Sequence, residues 1–152
     1  MKARTAILPL CFLLGVSATA PDQSYQVGGE WEIKITPLQL PAAIKDAKGY
    51  TKKVCRPPLG MDSFPKVGRV KQLVPGVQCT VTEMSAPDQP YRRVDECRRE
   101  GQPAPRRITY VGEQSPALYS LTITTEEPGR NDLKVVVRED GKLLGPCQPP
   151  AP

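Results

Sequence analysis

The residues of this chain able to carry chemistry are five cysteines, three arginine doublets and three acidic doublets, and no histidine stands among them. Lack of histidine removes the commonest general base, the usual zinc ligand and every Ser-His or Cys-His nucleophile pair. The acidic doublets are Asp95-Glu96, Glu126-Glu127 and Glu139-Asp140. Neighbouring residues on a strand point to opposite faces, so such a doublet cannot offer both carboxylates to one site. No acidic run has the spacing of a calcium loop. Gly28-Gly29 leads into a strand pattern and not a helix, so it is no phosphate cradle. A hydrolase built on these acids is the least favoured function, and no catalytic residue, metal site or cofactor is expected.

The arginines invite an anion-binding reading. Arg92, Arg93, Arg106 and Arg107 lie close to Tyr91 and Tyr110, a mixture of basic and aromatic residues also used by single-strand binders. Acids interleave at Asp95, Glu96 and Glu100, which favours solvated strand faces over a binding patch. Those four arginines stay as candidate contacts for an anionic envelope component, and nucleic acid is not an expected partner. Trp31, Tyr110 and Tyr119 are candidate linings of a ligand cavity. Aromatics at inward strand positions more commonly form plain core.

Compartment follows from the first residues. Lys2 and Arg4 precede a nearly unbroken apolar run from Ala6 to Ala18, and small residues follow at Ser17, Ala18 and Ala20. That order is the pattern of a secretory signal peptide. The run is shorter than the roughly 20 residues needed to span a bilayer. Cleavage after Val16-Ser17-Ala18 makes 1–18 the signal, with a second site after Ala20 disfavoured by Pro21. Losing Lys2 and Arg4 lowers the net charge from +5 to +3. No later segment is apolar enough to cross a membrane, so the mature chain is expected in the periplasm or secreted. Cys11 departs with the signal, leaving Cys55, Cys79, Cys97 and Cys147. An even set in an exported chain reads as two disulfides, and no Cys-x-x-Cys pair argues for redox or zinc chemistry.

The elements that position these residues are strands. Trp31 to Thr36 alternates with period two, placing Trp31, Ile33 and Ile35 inward. Similar segments follow at 50–55, 67–74, 77–82, 91–99, 107–111, 118–125 and 133–138, with a short piece at 142–144. Residues 42–48 allow one helical turn. Pro75-Gly76 marks a turn, 127–132 a hairpin loop, and Asp140-Gly141 the best tight-turn signal in the chain. Residues 19–26 read as a flexible leader, 27–147 as the domain, and 148–152 as a disordered proline-rich tail. The fold class is therefore all-β: an antiparallel meander of about eight strands, with a small barrel and a curved sheet both open.

A hairpin of 77–82 with 91–99, turning near residue 88, places positions summing to 176 opposite each other. Cys79 and Cys97 meet that condition. Opposed residues in a non-hydrogen-bonded antiparallel pair are about 4.5 Å apart at Cα, within disulfide reach. Cys55 is then left for Cys147.

Gly29-Glu30-Trp31-Glu32, a cysteine closing the second strand (Cys55), two mid-chain cysteines (Cys79, Cys97) and a final Gly145-Pro146-Cys147 together resemble a bacterial envelope family, domain of unknown function 3617. The likeness spans residues 27–147. Where members often follow the first cysteine with a Thr-Pro-Glu-like helical start, this chain has Arg56-Pro57-Pro58. The resemblance implies an exported domain and supplies no catalytic residue. Residues and resemblance together point to a non-catalytic binding or envelope-support module, with a carrier of a small apolar ligand as the alternative.

Overall fold

The computed structural model of the chain describes residues 28–58, 65–86, 88–102 and 104–147. The signal peptide, leader and tail expected from sequence lie outside them. Eight strands form one antiparallel sheet: β1 Gly29–Gln39, β2 Tyr50–Arg56, β3 Val70–Val74, β4 Val77–Met84, β5 Tyr91–Arg99, β6 Arg106–Gln114, β7 Leu118–Glu127 and β8 Arg130–Gly145. Their order is β2-β1-β8-β7-β6-β5-β4-β3. From β3 to β8 the sheet is a plain meander, and β1 then docks on the far side of β8. Strands β2 and β3 are the two edges and do not pair with each other, so the sheet is open and not a closed barrel.

One face carries most of the buried apolar side chains, although Val94 of β5, 0% exposed, is buried on the other. Trp31, Ile33, Tyr91, Tyr119 and Leu121 form the core cluster, flanked by half-buried Ile35, Val54, Tyr110, Ile123 and Leu143. Trp31 is 0% exposed although the described residues supply no second layer. A flat sheet would leave that indole wet, so the inner face must curl over itself. Glycines permit the curl. Across the sheet, Tyr91 faces Gly112, which faces Leu121; likewise Tyr119 faces Gly141, which faces Ile33. Large side chains thus lean over strand positions that have none, a device that bends sheets.

The Asp140-Gly141 turn expected from sequence does not exist. Both residues lie inside β8, which runs unbroken for 16 residues. Ladders from β1 and β7 hold that stretch on both sides, and this pairing overrides the local turn preference. Gly141 is there because a Cβ would collide with Cδ1, Cε1 and Cζ of Tyr119. Gly141→Ala is expected to destabilise by about 1–3 kcal/mol, the usual cost of overpacking. Thermal unfolding of the variant should show a Tm lowered by several degrees. An unchanged Tm would mean that the glycine is not needed for the Tyr119 packing.

Other boundaries shift for local reasons. The loop expected at 127–132 is a two-residue turn, Pro128-Gly129, with Glu127 already paired to Arg130. Pro75-Gly76 closes β3 and β4 in the same way. In both turns the glycine has positive φ, 76° at Gly76 and 81° at Gly129, as Pro-Gly at the centre of a type II turn requires. β1 continues through Pro37, where it was expected to stop. Pairing with β2 ends at Ile35, so Pro37 has only β8 as a neighbour, and proline is tolerated there. β6 is longer than expected and β3 shorter, its place at 67–68 being taken by a turn. The helical turn is reduced to a 3-10 turn at Ala42–Ile44.

Both disulfides pair as the hairpin register required. Cys79 and Cys97 are direct partners across β4 and β5 and are bonded. Cys55 is bonded to Cys147, 92 residues away, with Cα atoms 5.5 Å apart. Strand β1 lies between β2 and β8, and Glu30 pairs with both Cys55 and Gly145, so this second bond ties the two flanks of β1 at its start.

Candidate functional site

Strand alternation decides which charged groups enter the inner face. On β5 the inward phase is Tyr91, Arg93, Asp95 and Cys97. The Arg93 guanidinium grips Asp95 with two bonds, Nε donating to Oδ1 at 2.6 Å and a terminal nitrogen donating to Oδ2. Asp95 is 3% exposed, the one fully buried acid among the described residues. Arg93 also stacks over Tyr110, its Cζ 5.1 Å from the ring centre. Burial works against the Arg93 charge, but hydrogen bonding and attraction to Asp95 more than offset it and raise its pKa.

A second cluster lies further along the same face. The Tyr119 hydroxyl donates to Glu139 Oε1 at 2.6 Å and accepts from Arg56 at 3.3 Å. Arg56 stands over both the Trp31 and Tyr119 rings, 5.8 and 5.7 Å from their centres. Glu139 continues the inward phase of Val135 and Val137, and Arg56 that of Val54. Period-two alternation could have shown both; from sequence Glu139 is weighed only as half of an acidic doublet, and Arg56 is not weighed as a site residue.

Burial is the main cause that raises the Tyr91, Tyr110 and Tyr119 phenols above their ordinary value. At Tyr119 the bond to Glu139 adds to it, and at Tyr110 the charge of Asp95. The folded chain therefore keeps these protons where the unfolded chain releases them, near pH 10. Their contribution to stability is complete below that pH and is lost as pH rises toward the higher folded values. Urea unfolding at stepped alkaline pH should show stability falling from about pH 10 upward, by up to about 1.4 kcal/mol per pH unit for each such tyrosine. Stability that stays flat between pH 10 and 11.5 would contradict the buried-phenol assignment.

The four candidate arginines do not assemble into a patch. Arg93 and Arg106 belong to the inner phase, Arg92 and Arg107 to the outer. Each has an acid within 4.0 Å: Arg92 and Arg107 share Glu83, Arg93 holds Asp95 and Arg106 meets Glu127. The acidic doublets are split in the same way. Asp95 is inside while Glu96 faces Arg107 outside; Glu139 is inside while Asp140 takes a hydrogen bond from Ser120 at 2.7 Å on the outer face. That bond, with help from Arg138, holds the Asp140 carboxyl below the usual range.

Of the three candidate cavity aromatics, Trp31 is sealed in the core and Tyr119 is buried. Tyr110 reaches the inner-face groove formed by β3 to β6, which has a volume of about 460 Å³, while Tyr119 lines the separate depression at the other end of the sheet. Val81, Ile108 and Tyr110 give this groove apolar walls, and Leu73 stands beside it on β3. The volume falls within the range of roughly 300–1,000 Å³ usual for small-molecule sites. A wider depression of about 570 Å³ lies at the other end of the sheet, between β1, β8 and the β6–β7 turn, and is flanked by Glu32, Lys34 and Asp140. Among the described residues no three of Cys, Asp and Glu converge as a metal-holding group, and no helix is long and apolar enough to cross a membrane.

Fold and site together define a class: a single curled antiparallel sheet, stapled by two disulfides, with ion pairs set into its apolar face. Comparison with protein families, curated proteins and solved structures finds no match.

Proposed function

We propose that this chain is exported to the periplasm and serves there as a non-catalytic binding module. The observation that carries the reading is the pair of strand-joining disulfides, Cys79–Cys97 and Cys55–Cys147. Such bonds form and persist in oxidising compartments and are rare in the cytosol. The apolar leader with its Lys2 and Arg4 head supports the same destination. Kinship with domain of unknown function 3617, carried by Trp31 and the four cysteines, belongs to this proposal. Two features support a role without catalysis. Inward acids Asp95 and Glu139 are engaged by Arg93 and by Tyr119 with Arg56, and no histidine is present to move a proton.

Fractionation of the native host with thiols trapped before lysis tests the reading. The mature chain, beginning at Thr19, is expected in the periplasmic fraction with none of its cysteines labelled. A cytosolic chain with four alkylated thiols and an intact fold would refute it. The groove between β3 and β6 favours one refinement, a carrier of a small apolar ligand. Native mass spectrometry of protein purified from periplasm should then show a retained small molecule.

A further inference from the structure

From the chemistry of the β3–β6 groove we infer that its ligand is a long-chain carboxylate, an apolar chain ending in a single anionic head; this rests on the binding-module reading. Four strands supply the walls. Val81, Ile108 and Tyr110 make an apolar floor, in a groove of about 460 Å³, against which a hydrocarbon chain can pack. The rim is basic. Arg69, Lys71 and Leu73 all line it, and two backbone bonds, Val81 N–H donating to Arg69 O and Gly68 N–H donating to Val81 O, extend the β3–β4 pairing to include the first of them. Lys71 makes no salt bridge with any described residue, and among the described residues Asp95 is the one acid lining the groove. Arg93 already holds Asp95 with both ends of its guanidinium. Lys71 is therefore a positive charge at the mouth that no described acid answers. Such a field favours an anionic head at the rim.

Leu73 adds the second half of the argument. It is 57% exposed on a solvent-facing edge strand and lines the groove together with Lys71. A leucine held in water next to a lysine is a poor surface but a good clasp for an amphiphile. The alkyl chain covers Leu73 while the carboxylate meets Lys71. A neutral hydrocarbon would gain the first contact and not the second. A polyanion would find Arg92, Arg106 and Arg107 already paired with acids and divided between two faces.

Calorimetric titration of the mature, oxidised chain with dodecanoate, below its micellar concentration, tests this directly, with 1-dodecanol and acetate as comparators. Dodecanoate should bind once per chain, acetate not at all, and dodecanol more weakly by about tenfold. Lys71→Glu should weaken dodecanoate by about tenfold or more and leave dodecanol unchanged. Leu73→Asp should abolish both. Both side chains are exposed, so circular dichroism and Tm of these variants should match the parent. Equal affinity for dodecanol and dodecanoate, or dodecanoate binding indifferent to Lys71→Glu, would overturn the inference. So would binding to anionic vesicles without binding to monomeric dodecanoate, or loss of a dimer as the sole effect of Leu73→Asp. If dodecanoate fails to bind while the periplasmic protein still retains some other molecule, the ligand class is wrong and the binding module stands. If neither binds, both readings fall.

Discussion

Replacing Cys55 and Cys147 together by serine is expected to lower stability by about 4–5 kcal/mol in the loop-entropy model, since the bond closes a loop of nearly the whole domain. The sequence separation of 92 sets that magnitude, against 18 for Cys79–Cys97, whose loss should cost about 3 kcal/mol. Small domains have a net stability of roughly 5–15 kcal/mol, so either figure is a large share. Structure adds a reason specific to this fold. β2 is an edge strand whose sole neighbour is β1, and most of its side chains are exposed. Without the bond, seven residues of ladder hold it, and its inward Val54 and Arg56 lie against Trp31. The double variant should therefore unfold at a urea midpoint lowered by roughly 1.3–5 M, from a slope of about 1–3 kcal/mol per molar. Hydrogen exchange should show the amides of β2 and the start of β1 losing protection first. An unmoved midpoint with full protection in β2 would show that packing alone holds that edge.

Asp95→Ala carries the second large effect. Removing the carboxylate leaves the Arg93 guanidinium on the inner face with its charge unanswered. Breaking a buried pair by deleting one partner typically costs about 3–5 kcal/mol. The Arg93 side chain keeps some contact with water, 23% exposed, so a loss of about 3 kcal/mol is expected. The origin of that loss is testable. Exchanging both partners for apolar residues, Arg93→Met with Asp95→Leu, should restore much of the stability, because a buried pair is often replaceable by well-packed side chains. Chemical denaturation of the parent, the single and the double variant closes the comparison. If the double variant is no more stable than Asp95→Ala, the pair does more than answer its own charge.

Much of this architecture was legible in the residues. Alternation alone turned Trp31, Ile33 and Ile35 inward; the first two are buried and Ile35 is half-buried against them. Because side chains in a strand alternate with a fixed period of two, an apolar phase names its face without knowledge of the partner strand. The same geometry made Cys79 and Cys97 opposite residues once a hairpin centre was set. The site was less legible. Arg93 with Asp95, and Glu139 after Val137, lie in inward phases that period two could have shown, but their charge suggested solvent. Exposure was inferred from residue type, and burial was supplied by partners on other strands.

What the chain's own residues determined was the class: strands from alternation, both disulfides from spacing, and a histidine-free surface that narrows the chemistry. These are local properties, or depend on one hairpin. What the tertiary structure alone decided was the sheet order, its open edges and the groove. Asp140-Gly141 illustrates the division. Taken alone, the dipeptide favours a tight turn. Inside the sheet, backbone ladders to β1 and β7 hold it extended, and the Tyr119 ring fills the space that a side chain at Gly141 would take. Long-range pairing stabilises many residues at once, and a turn preference acts on two.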